Sequence, residues 1–559
     1  SEVIVMDSVL STLAVFWACA LIFYLLVHRG LWIFSDVARG MGMFMLEKAL
    51  GPGIELVEGR SGSAARAWIV QSALWLMLGG LFTFEGFWLA HDPTALHSLG
   101  AWGYDPTAET LAATGKAVTA FGGVSMAIIG CGLHILPKLL GTDLASERNG
   151  TLVSFLYSGS IVVMIIGSHD PVILGIKILV IGTGIHVLAI AAIVLNQLLT
   201  LANRSGSVSL PAWLILFGLM AESFNLIAGV ATGAITDGDG QWLMYRIQSG
   251  GFFFLSTAGV VLYATSVASG NALWSRSLVG ATLFGGLFTL QPLGSRDGSL
   301  VADLFGLDAG EMAMGQSDMV VSSFLLALAA IPVTAFCANA MLTMRGGNSS
   351  GANPNAAGLA EMNLGVMAMI PVFVGALFVQ TDSVSGTDAL TGLAGTIDEM
   401  GRWAVLVPLN FGAALALYPS ITGRELASAS RARTAFWLMS GGVLLGLMVT
   451  LTSNAIDMAL LDAGVLDPSS LAHELAVAGS VIFYFVVIAM ILHCLNMVSG
   501  LFRGDIVGEG SEGASSIQVD SYNLASATTV ARILGSGAGM DTVVVPVGES
   551  DEAGSATDL

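Results

Sequence analysis

Thirteen apolar stretches near spanning length constrain this chain more than any other feature of it. They run 9–34, 67–92, 117–141, 151–168, 172–200, 209–233, 242–268, 277–294, 318–342, 360–381, 394–421, 432–456 and 474–502. A helix needs about 20 apolar residues to cross the roughly 30 Å hydrocarbon layer, and inside it only a helix satisfies its own backbone. Composition agrees: 55% of the 559 residues are hydrophobic and only 11% charged, which excludes a soluble protein. The fold class is therefore an all-α integral membrane protein of about thirteen helices. The first run is long enough to stay in the membrane as an anchor instead of being cleaved as a signal.

The basic residues test that count. Fifteen of the twenty Lys and Arg fall in alternate connections and the tail, from Arg29 and Arg39 through Arg276 and Arg345 to Arg503 and Arg532. The other connections hold only Lys116 and Arg296 and are otherwise acidic, with Asp237, Asp239, Asp382, Asp388, Asp457, Asp462 and Asp467. One helix missed or invented would destroy this alternation. The positive-inside rule then places the N-terminus outside and the C-terminus in the cytoplasm.

Three of the runs close on one repeated mark: HILPKLLGTDLAS (134–146), YATSVASGNALWS (263–275) and ALYPSITGRELAS (416–428). In each, Gly141, Gly270 or Gly423 falls four residues after Pro137, Ser266 or Pro419 and five before a serine. Such self-similarity predicts three structural units, each with its mark at the inner end of a long helix. Residues 1–66 stand apart as an extra helix plus a segment, Asp36 to Glu58, whose Met41, Met43, Phe44, Met45 and Leu46 suit either a helix on the inner surface or an ordinary loop. Residues 67–503 hold the other twelve helices. Residues 504–559 are Gly-, Ser- and Ala-rich and acidic, a composition that cannot build a core.

Net charge is −20 and no nucleic-acid partner is expected; the acidic outer loops and tail fit either a high-salt habitat or a merely solvated surface, and the expected location is a prokaryotic cell membrane. The four cysteines (Cys19, Cys131, Cys337, Cys494) lie in apolar runs with no CxxC pair, as small buried hydrophobes do.

The stretch VVLYATSVASGNALWSRSLVGATLFGGLFTLQPLGSRDGSL, followed by SSFLLALAAIPVTAFCANAMLTMRG, resembles the middle of subunit I of haem-copper oxidases, closest to the cbb-type oxidases and the nitric oxide reductases. GKAVTAFGGVSMAIIGCGLHILPKLLGT, QWLMYRIQSGGFFF, YPSITGREL and LHCLNMVSGLFRG extend the resemblance over residues 67 to 503. The resemblance implies twelve helices in three arcs of four, and a low-spin haem, a high-spin haem and a copper or iron held by six histidines.

The chain departs from that family at the ligands. Counting back from Pro137 puts Gly115 where the first haem histidine would stand. Arg246 falls at the first copper-type histidine, and Arg296 and Asp297 replace the adjacent histidine pair. The final His-x-His becomes Ile397 and Glu399, or Arg402 and Ala404 in a gapped register. The eight histidines elsewhere (His28, His91, His97, His134, His169, His186, His473, His493) do not pair at one depth as axial ligation requires. No cofactor is therefore expected unless haem binds through other ligands.

A charge inside a membrane costs at least about 2.5 kcal/mol and persists only when paired, hydrated or useful. Arg246, Arg296, Asp297 and Glu399 are equal in opposite charge, which suggests an ion-pair cluster filling the vacated metal centre; alternatively Arg296, Asp297 and Glu399 lie in wet outer loops. Glu85, Glu222 and Lys177 are further intramembrane charges, either proton-relay groups or neutralised and snorkelling ones. The expectation that follows is a metal-free relative of the oxidase subunit, structural or proton-conducting, in lipid and beside other membrane subunits of a respiratory complex. The alternatives are a redox enzyme with unusual ligands, a secondary transporter and a scaffold.

Overall fold

The computed structural model describes residues 2–29, 36–48, 57, 59–167, 172–173, 175–234, 243–244, 246–271, 273–290, 316–345, 358–385, 389–465 and 470–507. A helix occupies each of the thirteen apolar runs. They are α1 (Glu2–His28), α3 (Ser63–His91), α4 (Ala108–Leu140), α5 (Glu147–Gly167), α6 (Ile178–Ala202), α7 (Leu210–Thr232), α8 (Ile247–Ser269), α9 (Arg276–Thr289), α10 (Val320–Met344), α11 (Leu359–Ser385), α12 (Ala394–Thr422), α13 (Ala429–Asp462) and α14 (Ser470–Arg503). Twelve are long and apolar enough to cross a membrane. The exception is α9, whose 14 residues rise only about 21 Å. Short α2 (Asp36–Glu47) packs on α6, its Gly42 against Leu199, and leaves Met41, Phe44 and Met45 exposed, as an interfacial helix would.

The three marks are helix ends. Gly141, Gly270 and Gly423 all have the left-handed backbone (φ 62°, 72° and 69°) that glycine adopts without strain. Gly270 and Gly423 donate their N–H to the carbonyl four residues earlier, on Ser266 and Pro419, while Gly141 shares its N–H between Lys138 and Pro137, so the repeated four-residue spacing is that of a helix C-cap. The serine five residues on accepts an N–H from the first turn of the following helix: Ser146 from Asn149, Ser275 from Leu278, Ser428 from Arg431.

An asparagine from the next helix but one clamps each of these serines at its backbone. The side-chain oxygens of Asn196, Asn339 and Asn496 accept from the amides of Ser146, Ser275 and Ser428, at 3.2, 3.0 and 2.9 Å. Their amide nitrogens donate back to the same serines' carbonyls, at 2.8, 3.0 and 3.0 Å. All three asparagines are fully buried. In lipid no hydrophobic force drives helices together, so such two-way bonds and close backbone packing must hold them.

The clamps define units α3–α6, α7–α10 and α11–α14. In every unit the second helix (α4, α8, α12) carries the mark, packs on the other two mark-bearing helices, and packs on the first helix of the next unit, α12 returning to α3. The last helix of each unit also touches the first of the next, and α14 against α3 closes the ring. These three helices are the most enclosed of the twelve spans, and each carries a π-helical segment in the half away from its glycine: Val118–Val124, Ile247–Leu255 and Gly401–Leu406. Outside the ring, α1 lies on α7 with Phe23 edge-on to Trp213 and Phe217. Residues 504–507, expected to begin the loose tail, pair instead with the third mark, where Val507 donates to the carbonyl of Gly423.

Candidate functional site

The π segments of α4, α8 and α12 lie in the halves of those helices away from the glycines, and around them the three units differ. A π segment carries one extra residue per turn and often marks a functional site. In the first unit the packing there is tight. A Cβ on Gly115 would stand 2.7 Å from Thr83 Oγ1 and 2.9 Å from its backbone nitrogen; Gly122 meets Trp75 and Gly130 meets Trp68 in the same way. This glycine seam brings the α3 and α4 backbones together, so residue 115 has no room for an imidazole. The residues there do not fit a haem ligand.

In the second unit Arg246 immediately precedes the π segment and is 1% exposed. Two residues on, Gln248 donates its Nε2–H to Glu222 Oε1 at 2.8 Å, and Asn225 donates to the carbonyl of Met244. Gly250, one turn beyond Arg246, receives the carbonyl of Leu290, which itself sits at φ 53°. Arg296 and Asp297 lie outside the described residues.

In the third unit Glu399 is 7% exposed and its Oε1 lies 2.5 Å from Arg402 Nη2, one turn along the same helix. One residue from each of the two sequence registers, Glu399 and Arg402, thus meets the other here. Glu399 is not in a wet loop as one reading had it. Its burial is enforced by neighbouring Trp403, fully enclosed and packed edge-on to Phe483.

Of the other predicted residues, Glu222 is half-buried and held by Gln248 as described. Glu85 is also half-buried and accepts a hydrogen bond from Tyr104 Oη at 3.2 Å. Burial and the adjacent Glu85 carboxylate push the Tyr104 phenol up to about 12, so it remains a donor. Lys177 is not within a helix: it is exposed, in a two-residue strand that pairs with Val172–Ile173 just before α6 begins. The tight turn at Gly175 (φ 80°) delays the helix past it.

The histidines sort differently from expectation in two cases. His186 contacts Tyr157, with ring centroids 4.5 Å apart, and its Nδ1 bonds Ser160, a satisfied core histidine. His91 and His473 meet at the end of the ring opposite the glycines, centroids 5.2 Å apart but planes at 84°, an edge contact instead of two rings facing across a gap. Deep between α11, α12 and α14, His493 Nε2 lies 4.0 Å from Glu361 Oε1; both are buried, and neither ring nitrogen makes a hydrogen bond. Sequence reasoning missed Glu361. Its signal was a carboxylate two residues into an apolar run.

Among the described residues, no group of three or more His, Cys, Asp or Glu side chains is placed to hold a metal ion. Compared with family models and with curated proteins, the chain matches none.

Proposed function

We propose that this chain is a metal-free relative of haem-copper oxidase subunit I that serves as a structural or proton-conducting membrane subunit of a respiratory or electron-transfer complex, with its N-terminus outside and its C-terminus in the cytoplasm. The observation that carries the reading is the seam at Gly115, where backbone packing takes the volume a haem-binding imidazole would need. Three mark-bearing helices enclosed by nine others give the ring the rigidity of a scaffold. Buried Glu361 and His493, with half-buried Glu222, supply protonatable sites within it, which is what conduction would use.

Proton flux through liposomes holding the full chain tests the conducting role. Flux above that of protein-free vesicles, slowed at least about fivefold by Glu361→Gln or Glu222→Gln, is the conducting outcome. Flux equal to the protein-free control leaves the structural role, which co-purification of other membrane subunits in mild detergent then checks. A chain that reduces oxygen or nitric oxide on its own contradicts both.

A further inference from the structure

Outside the ring, α1, α7 and α9 enclose a groove of about 750 Å³ at the glycine end. Its walls are apolar and aromatic, with Tyr24, Trp213, Phe217 and Leu283 among them, and its mouth carries His28, Arg204 and Arg276. We infer that this groove binds one phospholipid with an anionic headgroup, its phosphate against Arg204 and Arg276 and an acyl chain between the helices.

The dimensions fit one leaflet. From His28 back to Trp17 is eleven residues of α1, and from Arg276 to Phe288 is twelve residues of α9, rises of about 16 and 18 Å. Half of a roughly 30 Å hydrocarbon layer is about 15 Å. At that depth the groove is closed: Trp17 stacks on Phe288 with centroids 5.6 Å apart and donates its Nε1–H to the carbonyl of Leu287 at 3.0 Å. Charges at headgroup level above a pocket one leaflet deep are what a lipid presents in mirror image.

Charge supports the same occupant. Arg204 is fixed in place by donating to the carbonyls of Val27 (2.7 Å) and Leu201 (3.4 Å), which leaves donors of its fork unspent. Arg276 is exposed at the first residue of α9, where the helix dipole disfavours a cation, so helix stability does not account for it. Among the described residues neither arginine forms an ion pair with a carboxylate. Basic pockets between spanning helices are the ordinary receptors of anionic headgroups.

Native mass spectrometry of the full chain in nanodiscs tests this. One phosphatidylglycerol per chain should survive stripping, in preference to phosphatidylcholine. Arg276→Gln should weaken that preference about fivefold, from about 1 kcal/mol per arginine at a headgroup, and Arg204→Gln/Arg276→Gln more. Leu283→Trp, which fills the groove, should expel both lipids. Because Arg276 makes no other bond among the described residues, its variant folds and keeps the test decisive. Equal retention of the two lipids, an unchanged preference in Arg276→Gln, or inorganic phosphate binding as tightly as the lipid would overturn the inference.

Discussion

The two ends of the three enclosed helices obey different rules. At the glycine end the units are copies: the same left-handed cap, the same serine, the same buried asparagine returning two bonds. At the opposite end they share only a π segment, beside which one unit places a glycine seam, one Arg246 with a Gln248–Glu222 pair, and one a Glu399–Arg402 pair. A ring of three units needs one joint made three times, and the copied end is that joint. The divergent end is free to carry whatever distinguishes this chain.

Unequal costs at the divergent end and equal costs at the copied end would sharpen that contrast. Glu399→Ala removes one member of the enclosed Glu399–Arg402 pair and should cost about 3–5 kcal/mol in thermal unfolding of the detergent-solubilised protein; a loss under about 1 kcal/mol would place the pair in solvent. Asn196→Ala, Asn339→Ala and Asn496→Ala each orphan a buried amide and carbonyl and should cost about 2–4 kcal/mol, alike within experimental scatter. One site costing nothing would break the equivalence of the units. Gly115→Ala should cost about 1–3 kcal/mol through overpacking against Thr83, while Gly184→Ala, with open space around it on α6, should be neutral or slightly stabilising.

The smallest effect is at Tyr104. Tyr104→Phe should cost about 1 kcal/mol or less, since its bond to Glu85 is only half-buried. The sign of its pH dependence follows from the raised phenol: the folded chain favours the protonated form, so the contribution is complete below the ordinary value of 10 and fades as pH rises toward about 12. Alkaline unfolding curves of the wild type and Tyr104→Phe should therefore converge across that window and stay parallel below it.

The sequence made the helices legible because lipid leaves length and apolarity as nearly the only rules, and all thirteen runs hold a helix. The marks were legible because a capping bond has fixed local spacing. The asparagines were not, because they lie 50, 64 and 68 residues from their serines, separations set by loop length and not by any period. Lys177 was misplaced because a turn of a few residues breaks an apolar run without changing its composition. Gly115 was read as a vacated position, and its close approach to Thr83, which leaves no room for a larger side chain, could not be read from spacing along the chain. Glu399 was matched to distant arginines when a partner stood one turn away in Arg402.

The proposal that the ring works without metals stands or falls on a pyridine-haemochrome spectrum with elemental analysis of the full chain purified from its own membranes. The account predicts no Soret band and neither iron nor copper approaching one atom per chain. One or more haems per chain, lost on replacing any of His91, His186, His473 or His493, would contradict it.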